Sequence, residues 1–245
     1  MTEVYEAYQP QLLPVSWGQN IWTVEGPEVN YRLAVVTIAC PTRMTVVQLK
    51  DGTLWLHSPV CYSPALAEAL DALGPVSVLV APNSYHYLHI TAWAAAYPDA
   101  TIFAAADVAL KIKVPVIPLT ACEVELWPGD ILHTVIELGS FTEAVFFHVS
   151  SRTLIVTDLM QNFEARRVRN FATRAILAAG GATGPNGRPS MEIRFAARQH
   201  SKALHVGVRQ MLDWRPERII LAHGACYTSE APAEIERAFA WVKAR

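Results

Sequence analysis

The sequence predicts one α+β domain, and three observations carry that expectation. The first third is a succession of apolar, β-rich runs. Residues 76 to 106 then read strand, loop, helix, strand. Two further runs, RTLIVTD (152–158) and RIILAH (218–223), end on potential metal ligands where a strand gives way to a loop. Strand followed by helix followed by strand implies a sheet covered by helices, and open α/β sheets set their chemistry at strand ends and in the loops beyond them.

Taken in order, IWTVEG (21–26), YRLAVVTIA (31–39), RMTVVQLKDG (43–52) and TLWLHSPV (53–60) read as strands. Lys-Asp-Gly between alternating apolar runs supplies hairpin chemistry. SPALAEALDALG (63–74) opens on Ser-Pro, spaces its apolar residues helically and closes on Gly, which predicts a short capped helix. VSVLVAP (76–82) is a strand, TAWAAAY (91–97) a helix and TIFAAA (101–106) a strand. Residues 115–138 read as further strands, confined to edges or broken runs by Pro115, Pro118 and Pro128. EAVFFHV and RTLIVTD flank Ser150-Ser151 as a hairpin, which pairs residues whose numbers sum to about 301. A helix over 200–213, the strand ending at His223 and a helix from about 231 to 244 complete the chain. The Gly/Pro/Asn-rich stretch 162–199, between two arginine-bearing helical arms, reads as an insertion or flap within a domain spanning 1–245.

Composition narrows function. At 245 residues and 52% apolar the chain can bury a large core, and 17% charged residues with a net charge of −2 give no general attraction for nucleic acid. Cys40, Cys61, Cys122 and Cys226 form no CxxC pair, so free thiols are expected. The N-terminus lacks a basic, apolar leader, and no segment reaches the roughly 18 apolar residues of a membrane span. A small-molecule substrate in a reducing cytoplasm is the expectation; oligomeric state is not legible.

His86 and His89 follow the strand at 76–82, Asp158 closes a second and His223 a third. Imidazole and carboxylate together suit a divalent metal, and a catalytic site needs about three protein ligands and an open position. These motifs, with RMTVVQL, LWLHSPV, WAAAYPDA, SRTLIVTDL and IILAHG, resemble the metallo-β-lactamase superfamily, and within it a divergent uncharacterised branch. The resemblance runs from about residue 20 to residue 228. It implies a four-layer αββα sandwich and metal-dependent hydrolysis. The family's HxHxDH motif falls on 84–89, where only its second and third histidines, His86 and His89, are present; Ser84 and Leu88 replace a ligand histidine and an aspartate. Its bridging aspartate matches Asp158, its last histidine His223, and its middle histidine falls near Ser140.

That reduced set implies one ion, zinc first, held by His89, Asp158 and His223, with His86 either joining it or turning to a water. Glu143 falls opposite Asp158 in the hairpin register and is the candidate to refill a lost position, whereas His148 lies about 16 Å away along the strand. Asp158 would hold the ion and orient the attacking water, and Ser84 would donate to the substrate. His57, at the place of a family aspartate, either orients a group of the site or bonds backbone. Two other readings stay open: a metal-free binding or scaffold member of the fold, and a metal-independent enzyme using Ser84, His86 and Asp158. Seven arginines against two acids between 160 and 200 give a local charge of about +5. They mark an anionic substrate if the segment covers the site, and a solvated face or oligomer contact otherwise.

Overall fold

The computed structural model describes residues 4–33, 36–109, 111–122 and 124–242. Two sheets stack face to face. The first runs β1 (Pro14–Gly18), β2 (Ile21–Leu33), β3 (Val36–Gln48), β4 (Leu54–His57), β5 (Val76–Ala81), β6 (Thr101–Ala104) and β7 (Ile117–Pro118), in that spatial order. The second is ordered β11 (Arg218–Leu221), β10 (Thr153–Val156), β9 (Thr142–His148), β8 (Ile131–Glu137). Helices α1 (Pro64–Asp71) and α2 (Ile90–Ala96) cover the first sheet; α4 (Met191–Gln199), α5 (Ser201–Asp213) and α6 (Ala231–Phe239) cover the second. The αββα sandwich expected from the resemblance is the fold observed.

Strand periodicity explains the layering. Along β5, Val78 and Val80 enter the space between the sheets while Leu79 and Ala81 pack under α1 and α2. Along β10, Ile155 faces inward and Leu154 and Val156 face the outer helices. Both faces of the central strands are dry, so these segments read as unbroken apolar runs rather than alternating ones. Trp55, Trp127, Phe103 and Phe146 fill the inter-sheet layer, with Trp55 and Phe146 edge to face at 5.1 Å. Ser63 caps α1 by accepting from the Leu66 amide at 3.2 Å, and Pro64 opens the helix.

The strand boundaries near the N-terminus differ from expectation. The run predicted as one strand over 31–39 is shared between β2 and β3, which pair antiparallel up to Leu33 opposite Val36; positions 34 and 35 lie outside the described residues. Two prolines lie within these long strands. Pro27 sits in a register shift between Gly26 and Val29, and Pro41 lies beyond the Thr45–Gln48 stretch that β4 pairs, so its missing N–H costs no ladder bond. The closing helix is shorter than read, ending at Phe239; positions 243–245 lie outside the described residues.

The β9–β10 hairpin keeps the expected register, with Thr153 opposite His148 and Ile155 opposite Phe146. The 162–199 stretch holds a single 3-10 turn at Ala165–Arg167, α3 (Phe171–Gly180) and α4. Ile193 and Ala197 of α4 join the outer core, while Leu177 of α3 packs with Tyr5, Phe163 and Val168.

His148 closes β9 fully buried, with Nδ1 on Ser151 Oγ at 2.7 Å and Nε2 on Ser150 Oγ at 3.1 Å. Burial pushes its pKa down from 6.5 to about 4. Above pH 6.5 both folded and unfolded forms are neutral. Below it the unfolded chain takes up a proton that the folded chain refuses, so stability falls as pH drops towards 4, by up to about 3 kcal/mol from this residue. Urea unfolding of wild type and His148→Gln at pH 7 and pH 4.5 is expected to show a smaller acid loss in the variant; parallel losses would contradict the assignment.

Candidate metal centre

Strands β4 and β5 run parallel, as do β10 and β11, and the loops after all four meet at one edge of the sandwich. There His86, Asp158 and His223 present ligand atoms that all lie within 4.8 Å of one another. His86 Nε2 stands 3.2 Å from His223 Nε2 and 3.2 Å from Asp158 Oδ2, and His223 Nε2 is 3.5 Å from Asp158 Oδ1.

Each of the three is fixed from behind. His223 Nδ1 bonds the Pro41 carbonyl at 2.7 Å. A carbonyl only accepts, so Nδ1 carries the hydrogen and Nε2 presents its lone pair to the cluster. Phe163 stacks on the ring at 5.8 Å, 10° from parallel. His86 Nδ1 is 2.6 Å from Ser58 Oγ. Asp158 accepts from Asn83 Nδ2 at 2.8 Å and from Gln161 Nε2 at 2.9 Å. Gly224, at φ +86°, lets the chain turn after His223, since a Cβ there would run into the Asn162 carbonyl.

The protonation states suit ligation. Burial lowers the His86 pKa against the pull of Asp158, favouring the neutral ring. Burial opposes ionisation of Asp158, but His86 and His223 outweigh it and hold the carboxyl well below its ordinary range. Two imidazoles and a carboxylate aimed at one point are a donor set for zinc, iron or manganese.

Glu143 is corrected from replacement ligand to buried scaffold. It does lie beside Asp158, but its carboxylate accepts from the backbone amides of Thr157 (2.8 Å), Asp158 (2.8 Å) and Leu159 (3.1 Å) and from Asn83 Nδ2 (3.1 Å). Those four donors use its lone pairs and turn it away from the cluster. Burial and the neighbouring Asp158 charge push its pKa up to about 7.

Of the two histidines expected near the site, the structure brings His86 into the cluster and leaves His89 outside it. Asn83 Oδ1 accepts from the amides of Tyr85 and His86, both at 2.9 Å, a tight Asx turn that swings His86 towards β10 and β11. His89, three residues on, caps α2 and lies outside the cluster, its Nε2 buried with no hydrogen-bond partner and its pKa lowered by burial. Ser84 lines the cavity above the cluster, and its carbonyl accepts from Lys111 Nζ at 3.1 Å. Both nitrogens of His86 face other groups, so the Ser84–His86 pairing does not form. His57 is buried between the sheets, stacked on Trp55 at 5.4 Å, with burial and His86 depressing its pKa to about 3; its Nε2 has no partner. Ser140 is exposed on the β8–β9 turn.

The arginines of 162–199 do not reach the cavity. Arg166 and Arg167 pair with Glu164, Arg174 lies over Phe171, and Arg188 and Arg194 donate to the carbonyls of Gly181 and Gly180. None of the seven lines it. The conditional expectation of an anionic substrate loses its support, because the segment covers the site with α3 and α4 side chains rather than with guanidinium groups.

Sequence reasoning missed Asn83, Ser58 and Arg43. Asn83 was legible as the first residue past a strand-ending Pro82, a position that favours Asx turns. Arg43 carried no signal. Its guanidinium is buried, pairs with Glu25 at 2.6 Å and donates through Nη1 to the carbonyls of Leu221 and Gly224, the latter at 2.9 Å. It thereby fixes the loop that holds His223.

The comparisons bear on the fold. A family described only as a domain of unknown function (DUF4336) matches residues 19–122, which take in His57, Ser84, His86 and His89 but not Asp158 or His223. No curated protein matches in sequence. Among solved structures, a metallo-β-lactamase from Hirschia baltica is similar at 13% identity, with 95% of this chain and 98% of that one covered and a TM-score of 0.58. The metallo-β-lactamase FIM-1 from Pseudomonas aeruginosa, in a mono-zinc form, gives 13%, 94%, 96% and 0.56. A rubredoxin:oxygen oxidoreductase from Desulfovibrio gigas gives 12% identity and 0.63 over 94% of this chain and 61% of that one. The protein therefore has the metallo-β-lactamase fold, shared with these structures at low sequence identity.

Removing Arg43 strands Glu25 and two carbonyls in a dry setting. Arg43→Ala is expected to lose about 3–5 kcal/mol of stability by urea denaturation. A loss under about 1 kcal/mol would contradict the role given to it.

Proposed function

We propose that the protein is a metal-dependent hydrolase with a single divalent ion, zinc first, held by His86, Asp158 and His223 and acting on a small molecule in the cavity above them. The observation that carries this reading is the convergence of two imidazole lone pairs and one carboxylate, each with its own supporting hydrogen bond. A divalent ion there supplies Lewis-acid polarisation and a more acidic water. The chain's own groups do the rest. Asn83 and Gln161 hold Asp158 with one oxygen to each histidine, and Ser84 offers its hydroxyl to a substrate bound over the cluster. Four free cysteines suit a reducing cytoplasm, and no helix among the described residues is long and apolar enough to cross a membrane.

A second reading rests on the 2.6 Å contact between Ser58 Oγ and His86 Nδ1, with Asp158 on the far nitrogen and Ser58 at φ +52°. That is a serine, base and acid in sequence. Activity that survives chelation and disappears in Ser58→Ala would favour it.

Elemental analysis after zinc reconstitution and dialysis is expected to give about one equivalent for wild type and for His89→Ala, and much less for His223→Ala and His86→Ala. Equal metal in wild type and His223→Ala overturns the ligand set. No metal in any of them makes a metal-free binding protein the better reading.

A further inference from the structure

The cavity over the cluster has a volume of about 730 Å³, within the range of small-molecule sites. Its wall is apolar. Ile176 and Leu177 of α3 and Phe163 line one side, and at the mouth stand three large hydrophobic side chains open to water: Met191 at 63% exposure, Phe195 at 65% and Leu88 at 56%. Met191 and Phe195 lie one turn apart on α4, on the edge away from Ile193 and Ala197, which pack into the core. Folding gains nothing from this exposure, and Leu88 reaches the same mouth from a separate segment. Exposed apolar side chains gathered round a cavity mark a binding site.

Outside the cluster the described lining residues carry two charged side chains of opposite sign, Glu192 and Lys111. Lys111 is the one lysine or arginine among the described lining residues, and its ammonium is already shared between the Ser84 carbonyl and the ring of Tyr87. A phosphoryl substrate calls for a clamp of cations on its oxygens, and this wall supplies none.

Resting on the hydrolase reading above, we infer that the substrate is a neutral carboxylic ester whose acyl chain is apolar, with the chain lying between α3, α4 and Leu88 and the carbonyl over His86, Asp158 and His223. Water adds to the acyl carbon, the bond from that carbon to the alkoxy oxygen breaks, and a proton from the water passes to the departing oxygen. The products are the free acid and an alcohol, and no oxidant or reductant takes part.

The test separates binding from turnover. N-phenyl-1-naphthylamine, a neutral apolar fluorophore, is titrated into metal-free wild type and into a Leu88→Ser, Phe195→Ser double variant, whose changes are exposed and leave the core intact. Methyl esters from acetate to octanoate then displace it. Saturable binding is expected, with displacement improving about fourfold for each added methylene until the chain fills the wall, and both binding and displacement weakened at least tenfold in the variant. The zinc-reconstituted protein is expected to hydrolyse methyl octanoate with a higher kcat/KM than methyl acetate. No saturable binding, displacement independent of chain length, or an unaffected variant overturns the apolar site. Chain-dependent binding with no turnover of any ester by protein that holds about one equivalent of zinc overturns the ester assignment alone, whereas protein that takes up no zinc overturns the hydrolase reading on which it rests.

Discussion

The site hangs on one buried carboxylate that does not itself face the cluster. Glu143 sits wholly buried near the start of β9 and gathers the amides of Thr157, Asp158 and Leu159, which β10 leaves unpaired as it runs out. It also holds Asn83, whose amide reaches Thr157 and Asp158 and whose carbonyl turns the chain at His86. One residue thus joins the end of β5 in the first sheet to the end of β10 in the second. Without it the amides after β10 would be dry and unsatisfied, a cost of about 1–3 kcal/mol for each.

A second tie closes the other half. Pro41 and Arg43, on the part of β3 that β4 does not pair, supply the carbonyl that orients His223 and the guanidinium that fixes the loop around it. The cluster is therefore built where sheet edges lose their ladder partners, and side chains complete the hydrogen bonding that strands no longer provide. Dry walls on one side lower the His86 pKa, and the two histidines beside Asp158 hold its carboxyl below its ordinary range. Both shifts favour the forms that can bind a cation.

Much of this was legible from sequence because strand ends are. Asp158 and His223 follow apolar runs too short for helices, and the hairpin arithmetic around Ser150-Ser151 brought Glu143 to Asp158 correctly. Which way Glu143 would point was not legible, since register fixes neighbours and not the choice between backbone amides and an ion. The same limit applied to His86 and His89: spacing gave two candidates, and the Asx turn at Asn83 decides between them. The arginines of 162–199 misled for a related reason. Charge counted along the chain says nothing about which face a helix turns inwards, and α3 and α4 turn Ile176, Leu177 and Phe195 to the cavity.

The most direct test of the account is anomalous diffraction at the zinc edge from crystals of zinc-reconstituted protein. The account predicts a single peak about 2.0–2.2 Å from His86 Nε2, His223 Nε2 and an Asp158 carboxylate oxygen, with Glu143 still bound to the amides of Thr157, Asp158 and Leu159. A peak ligated by His89 or Glu143, or no peak in a protein whose fold is unchanged, would contradict it.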